Sequence, residues 1–296
     1  MIQDIAPLRL CNEFQNVRPA DDDLVFDLDE NGLLLASDAL RPPSVREWRA
    51  QKEAATLAYA FRLADDAPTS GEPSASCAAP RLDRDIRCFL ALRAAGESGR
   101  TPESLRRVAP SALRGEPGPL PFAAATAQHL ARWYDEHRFC GRCGSALRRS
   151  DTERALLCPA CGLVNWPVIA PCVIVAVTHG DRILLTRYAR PGATRLVLVA
   201  GFVEIGETAE QAAAREVMEE TGLRIKNLRY AGSQPWGFSG SLAAGFVADL
   251  DGPESIRLDT SELAEARWVK RADIPPCPDD SSLTMTMITR FARGEL

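Results

Sequence analysis

The chain has 296 residues, enough for two domains or one large one. Its composition, 46% hydrophobic and 25% charged, is ordinary for a soluble globular protein, and a net charge of −5 excludes a global basic field for nucleic acid, leaving RNA only a local grip at one end. No apolar stretch approaches the ~20 residues that span a bilayer, and MIQDIAPLRLCNEF lacks the basic start and apolar core of a secretory signal, so the expectation is a cytoplasmic protein without a membrane partner.

In chain order, the first ~60 residues read as strand-rich, with DLVFDLDENGLLLAS as a hairpin turning near Glu30-Asn31-Gly32. Residues 47–64 fit a strand or a helix equally. Residues 65–80, rich in Pro, Ser and Ala, read as a flexible surface loop. IRCFLALRAA resumes an apolar element, RGEPGPLP breaks the chain, and a helix is predicted at about 122–137. A cysteine module occupies 138–165. From Pro171 onward, strands and helices alternate: CVIVAVTH, RILLTRYA, LVLVAGFV, an acidic helix, LRYAGSQPW, LAAGFVAD, ARWVKRAD, and a last helix from about Ser282 to Arg293. The scattered Cys11, Cys77, Cys88, Cys172 and Cys277 read as free thiols. With only His129, His137 and His179 in the chain, Cys–His or Ser–His–Asp catalysis has little support.

Cys140, Cys143, Cys158 and Cys161 form two CxxC pairs 14 residues apart, each followed at once by glycine (Gly144, Gly162). That spacing is the pattern of a zinc ribbon: four thiolates complete a tetrahedral shell with no open position, so one Zn2+ per chain would be structural. The nearby Arg142, Arg148, Arg149 and Arg154, interspersed with Asp151 and Glu153, read as a solvated surface first and an RNA contact second.

In GFVEIGETAEQAAAREVMEETGL, residues 201–223, Glu216, Glu219 and Glu220 fall on one helical face at i, i+3 and i+4. Ala213, Ala214, Val217 and Met218 are expected on the opposite face, against a core. Thr208 and Gln211 make a capping box, and Gly222 supplies a left-handed stop. Like charges at this spacing cost helix stability, which suggests a bound cation; Mg2+ or Mn2+ suits an all-oxygen site.

The string resembles the Nudix box of the Nudix hydrolases at every fixed position: Gly201, Glu207, Arg215, Glu216, Val217, Glu219, Glu220, Gly222 and Leu223. The resemblance implies an α+β chain: a mixed sheet sandwiched between helices at 168–296, preceded by the zinc ribbon at 136–167 and a smaller strand-rich N-terminal domain at 1–135. It implies hydrolysis of a diphosphate joined to another moiety. A zinc ribbon immediately before the Nudix domain, with FCGRCG and then NWPVIAP, resembles the NADH pyrophosphatase branch, whose members also decap NAD-capped RNA. SQPWGFSGS (233–241) resembles that branch's SQPWPFPxS signature. Gly237 and Ser239 replace its prolines, which predicts a more flexible loop. Trp166 stands where the branch usually has tyrosine; ring stacking survives that change and a phenol hydrogen bond does not.

By this resemblance, Glu216 and Glu220 are the principal metal ligands, and Glu219 is a ligand or the group that orients or deprotonates water. The Ala200 carbonyl and Glu262 complete the shell, with Glu265 a close rival of Glu262. Gly201, Glu207, Arg215 and Gly222 are structural. Trp166 and Phe202 would stack on the nicotinamide, Ile174 would line its pocket, and Gln234, Pro235, Trp236, Gly237, Phe238, Ser239, Gly240 and Ser241 would hold the substrate. The expected reaction converts NADH or NAD+ to AMP and (reduced) nicotinamide mononucleotide, and removes NAD caps from RNA 5′ ends, in a homodimer. Hydrolysis of another nucleoside diphosphate derivative such as ADP-ribose, and non-catalytic nucleotide sensing, are the alternatives.

Overall fold

The computed structural model describes residues 1–51, 55–65, 85–93, 101–276 and 281–296. The loop predicted at 65–80 therefore falls, apart from Asp65, outside the described residues, as do Cys77 and Cys277. The chain packs as two compact units: Gln3–Val168 with Gly237–Ser239, and Met1–Ile2 with Ile169–Trp236 and Gly240–Leu296.

The N-terminal unit begins with β1 (Leu8–Cys11), β2 (Leu24–Phe26), β3 (Leu28–Asp29), β4 (Gly32–Ala36), α1 (Val45–Ala50), β5 (Thr56–Asp65), β6 (Ile86–Leu92) and β7 (Leu105–Val108). The undecided stretch at 47–64 is both things in turn. Ser44 and Glu47 form a capping box that starts the short helix, and alternation in TLAYAFRLAD then runs as a strand. The expected hairpin is β3–β4 alone, because β2 leaves to pair in parallel with β6. One sheet has the order β1-β5-β6-β2 and another β3-β4-β7. Between them lies a buried charge cluster: Arg93 Nη1 and Nη2 each reach Asp27 at 2.6 Å, Trp48 Nε1 donates to it at 2.8 Å, and Arg107 Nη2 lies 3.2 Å away.

Helix α2 (Leu120–Glu136) buries an alanine-rich face, Ala123, Ala124, Ala125 and Ala127, with Trp133 further along. The ribbon strands β8 (Arg148–Arg149), β9 (Leu156–Leu157) and β10 (Val164–Asn165) form a small antiparallel sheet. The arginines nearby are not all solvated. Arg149 Nη1 donates to the Leu57 carbonyl at 3.3 Å, and Arg154 Nη2 donates to the carbonyls of Ala60 (2.5 Å) and Asn12 (3.1 Å). These two arginines rivet the ribbon to β5, because a guanidinium can satisfy backbone carbonyls that no strand partner reaches.

The C-terminal unit is built on β11 (Ala170–His179), β12 (Arg182–Tyr188), β13 (Val199–Phe202), α3 (Ala209–Thr221), β14 (Ile225–Trp236), β15 (Ser241–Leu250), β16 (Leu263–Lys270) and α4 (Leu283–Ala292). The sheet runs β14-β15-β11-β12-β16, with β13 also paired to β11; β11 and β15 are parallel and the other pairs antiparallel. Alternation along β11 explains the sandwich. Val173, Val175 and Val177 join the core containing Ala212, Ala213 and Val217 of α3, whereas Ile174 and Ala176 join the core containing Leu283, Met287 and Phe291 of α4.

Candidate active site and zinc centre

Helix α3 is bounded by its own sequence. The Thr208 side chain accepts from Gln211 N–H, the Gln211 side chain accepts from Thr208 N–H, and Gly222 closes the helix at φ 69°. Its buried residues are Ala212, Ala213, Glu216, Val217, Glu220 and Thr221. This corrects the expected apolar face: Ala214 is exposed and Met218 only half-buried. The physical reason is a rotation of the packed stripe toward Ala212, which carries Glu216 and Glu220 to the rim of the core and leaves Glu219 with 58% of its side chain exposed.

Gly201 on β13 makes that burial possible. A Cβ at this position would lie 2.0 Å from Glu216 Cδ, so the carboxylate occupies the space a side chain would take. Arg215 ties loop to helix: Nε and Nη2 each reach Glu207 at 2.8 Å, Nη1 lies 2.7 Å from Glu216 and 2.9 Å from Glu219, and Nη2 also donates to the Phe202 carbonyl at 2.9 Å.

Glu220 is 3% exposed, and its Oε2 is buried without a hydrogen-bond partner among the described residues. Burial, reinforced by Glu216, Glu262 and Asp259, pushes its carboxyl up to about 8. Burial also raises Glu216, with Arg215 opposing the shift. An acidic cluster with an orphaned buried oxygen is unfavourable unless a cation joins it, so the donor set fits a hard divalent ion. Glu262 bears on both buried glutamates, whereas Glu265 is engaged by Arg187 and Arg267, each at 3.2 Å. Pairing of β13 with β11 sets Ala200 opposite Ile174 and Gly201 opposite Val173, and Phe202 ends the strand 55% exposed.

The 234–241 segment is divided in its duties. Gln234 is 2% exposed; its Nε2 donates to the Ser281 carbonyl at 3.1 Å and its Oε1 accepts from Leu283 N–H at 2.7 Å. Its amide therefore holds the start of α4. Pro235 is exposed, Trp236 half-buried and Ser241 buried at the start of β15. Of the two residues in place of prolines, Gly237 sits in a packed position and Ser239 in an exposed one. Gly237 is buried, a Cβ there would come within 2.2 Å of the Ala125 carbonyl oxygen, and Arg132 Nη2 donates to the Phe238 carbonyl at 2.8 Å. Close packing on α2 restrains what proline would have restrained covalently. Gly240 follows, buried at φ 76°. Trp166 is 55% exposed, its Nε1 bonded to Glu153 Oε2 at 2.9 Å. Sequence reasoning passed over Tyr188 and Ser281, since neither sits in a motif and only the folded chain brings them to these contacts.

In the ribbon, Cys140 Sγ lies 3.6 Å from Cys161 Sγ and Cys143 Sγ 3.5 Å from Cys158 Sγ, with all four sulfurs within 4.8 Å of one another. A tetrahedron of 2.3 Å Zn–S bonds has edges of about 3.8 Å, so the thiols fit a structural zinc. Gly144 and Gly162, at φ 73° and 74°, close the two knuckles with N–H bonds to the carbonyls of Cys140 (2.8 Å) and Cys158 (3.1 Å). Arg142 and Cys161 N–H groups each point at a sulfur from 3.4 Å.

A glycine-cradled acidic helix over a mixed sheet, with four clustered thiols earlier in the chain, defines the class. Residues 168–286 match the NUDIX domain, so this part of the chain carries the sequence pattern of that family. Residues 135–164 match the NADH pyrophosphatase zinc ribbon domain, which narrows the resemblance. The "NAD-capped RNA hydrolase NudC" proteins of Salmonella heidelberg (strain SL476) and Enterobacter sp. (strain 638) are each 46% identical over 165 residues, 56% of this chain and 64% of theirs. The match thus spans just under two thirds of the length of these relatives. A NUDIX hydrolase of known structure from Nitrosomonas europaea is 24% identical, with a TM-score of 0.45, covering 53% of this chain and 90% of that one. Among the described residues no helix is long and apolar enough to cross a membrane.

Proposed function

We propose that this chain hydrolyses the pyrophosphate bond of NADH and NAD+ to AMP and (reduced) nicotinamide mononucleotide, and removes NAD caps from RNA 5′ ends. The observation that carries the reading is the orphaned Glu220 oxygen among Glu216, Glu262 and Asp259, a cluster that calls for a cation. The name of the 46%-identical relatives and the ribbon type matched in this chain support the choice of substrate.

Glu216, Glu220 and Glu262, with the Ala200 carbonyl, would hold Mg2+ or Mn2+. Bound there, such an ion would supply positive charge to the phosphoryl oxygens and make a water more acidic for in-line attack on phosphorus. Glu219, exposed and steadied by Arg215 at 2.9 Å, would orient the attacking water and accept its proton. Glu207 and Arg215 keep the loop at 202–207 against α3, and Gly201 leaves room for the Glu216 carboxylate. Phe202 offers an exposed aromatic face suited to stacking on nicotinamide, with Ile174 buried beside Ala200 on the neighbouring strand. The protein would act as a homodimer in the cytoplasm, where the ribbon's thiols stay reduced.

A substrate panel of NADH, NAD+, ADP-ribose and NAD-capped RNA, assayed with Mg2+ and with Mn2+, tests the reading. AMP release from NADH with a kcat/KM well above that for ADP-ribose is expected. Preference for ADP-ribose would replace the assignment, and tight NADH binding without turnover would recast the chain as a nucleotide sensor.

A further inference from the structure

The one cation inside the acidic motif, Arg215, is fully engaged by Glu207, Glu216, Glu219 and the Phe202 carbonyl. A diphosphate brings its own negative charge to this cluster, so a further positive group is needed to orient it. The end of β12 supplies one. Arg187 there is paired with Glu265, and the β12–β16 ladder shifts register between Arg187 and Tyr188. Such a shift re-aims the side chains that follow it. The Ala189 N–H then donates to the Glu262 carbonyl at 2.8 Å, tying this strand end to the acidic cluster.

On either side of Ala189 stand Tyr188 and Arg190. Tyr188 is half-buried and within electrostatic reach of Glu220, Glu216 and Arg190. The Arg190 guanidinium lies over the Tyr188 ring, 5.2 Å from its centroid; the residue is exposed and has no carboxylate partner among the described residues. Stacking leaves the edge N–H donors of a guanidinium free while fixing its plane, and that planar fork matches phosphate oxygens.

We propose that Arg190, carried on the Tyr188 ring, receives the non-bridging oxygens of a substrate's diphosphate group, making it a binding residue for nucleoside diphosphate derivatives. Tyr188 is the positioning residue that carries it. The inference rests on the proposed diphosphatase reading, but it concerns binding and can be judged apart from turnover.

Two measurements on Arg190→Ala, Arg190→Lys, Tyr188→Leu and Tyr188→Phe test it: KM and kcat for NADH, and the affinity for the methylene analogue of ADP in the presence of Mg2+. Loss of one charge-assisted contact corresponds to about tenfold or more in affinity. Arg190→Ala should therefore raise KM and weaken analogue binding by about that factor with kcat little changed. Arg190→Lys should recover only part of the loss, because an ammonium has no planar fork. Tyr188→Leu should follow Arg190→Ala, whereas Tyr188→Phe, which keeps the ring, should stay near wild type. Unchanged KM and analogue affinity in Arg190→Ala would overturn the proposal. If the wild-type protein turned over no dinucleotide, the diphosphatase reading would fall, and analogue affinity alone would still decide on Arg190.

Discussion

At the scale of single residues, the acidic helix is organised by two contacts that a list of glutamates does not contain. Gly201 yields its side-chain space to Glu216, and Glu220 is left with a buried oxygen that no donor among the described residues reaches. Gly201→Ala should displace the Glu216 carboxylate, lower activity, and raise the divalent-ion concentration needed for half-maximal rate; an unaltered ion requirement would show that Glu216 is not a ligand. Glu220→Gln should abolish metal-dependent AMP release while keeping the fold. In EDTA its melting temperature should equal or exceed that of wild type, since an amide removes the cost of burying the carboxylate or protonating it on folding, and the stabilising shift produced by adding Mg2+ should disappear. A fall in melting temperature in EDTA would mean that the carboxylate is satisfied without a cation.

At the scale of elements, the turn at 237–239 shows how tertiary packing can stand in for local stiffness. Gly237 touches the Ala125 carbonyl of α2 so closely that any Cβ collides. Restoring the proline of the related signature, Gly237→Pro, should thus destabilise the protein by about 1–3 kcal/mol, as overpacking does, rather than rigidify a loose loop. Urea unfolding of the variant measures this, and a rise in midpoint would contradict the packing. The zinc ribbon is an element of the same kind. Its short strands have little core, so four thiolates and the Arg149 and Arg154 bonds to β5 must hold it. Removing zinc with a chelator should release one equivalent per chain and lower the melting temperature, with hydrogen exchange rising first at 138–165.

At the scale of the whole molecule, each unit has its own core and its own pH response. In the N-terminal unit Asp27 is fully buried; burial alone would raise its carboxyl, but Arg93 and Trp48 bonds and the Arg107 charge hold it below the usual range. A depressed folded value means that this cluster's stabilisation is complete above the unfolded carboxylate value, about pH 4, and is lost as pH falls further. Asp27→Asn should lower stability near neutrality and flatten the acid limb of the stability curve between about pH 5 and pH 2. Parallel acid limbs in wild type and variant would remove Asp27 from the account.

How much of this was legible in the sequence depends on the range of the interaction. The box, its Thr208–Gln211 and Gly222 boundaries and the paired CxxC knuckles are set by contacts a few residues apart, so spacing alone places them. Alternation also located β11, β12, β14 and β15, and the helix before the ribbon. The Asp27 cluster lay beyond reach because its partners come from residues 20 to 80 positions away. For the same reason neither the bonds of the Gln234 amide to Ser281 and Leu283 nor the packing of Gly237 on α2 could be read from local spacing. The carboxylate and thiolate patterns could be read from the residues alone, because spacing along one helix or one knuckle is local. Only the tertiary structure decided which carboxylates are buried, which glycine makes room for them and which arginine remains free, because burial and pairing depend on segments that meet only when the sheet closes.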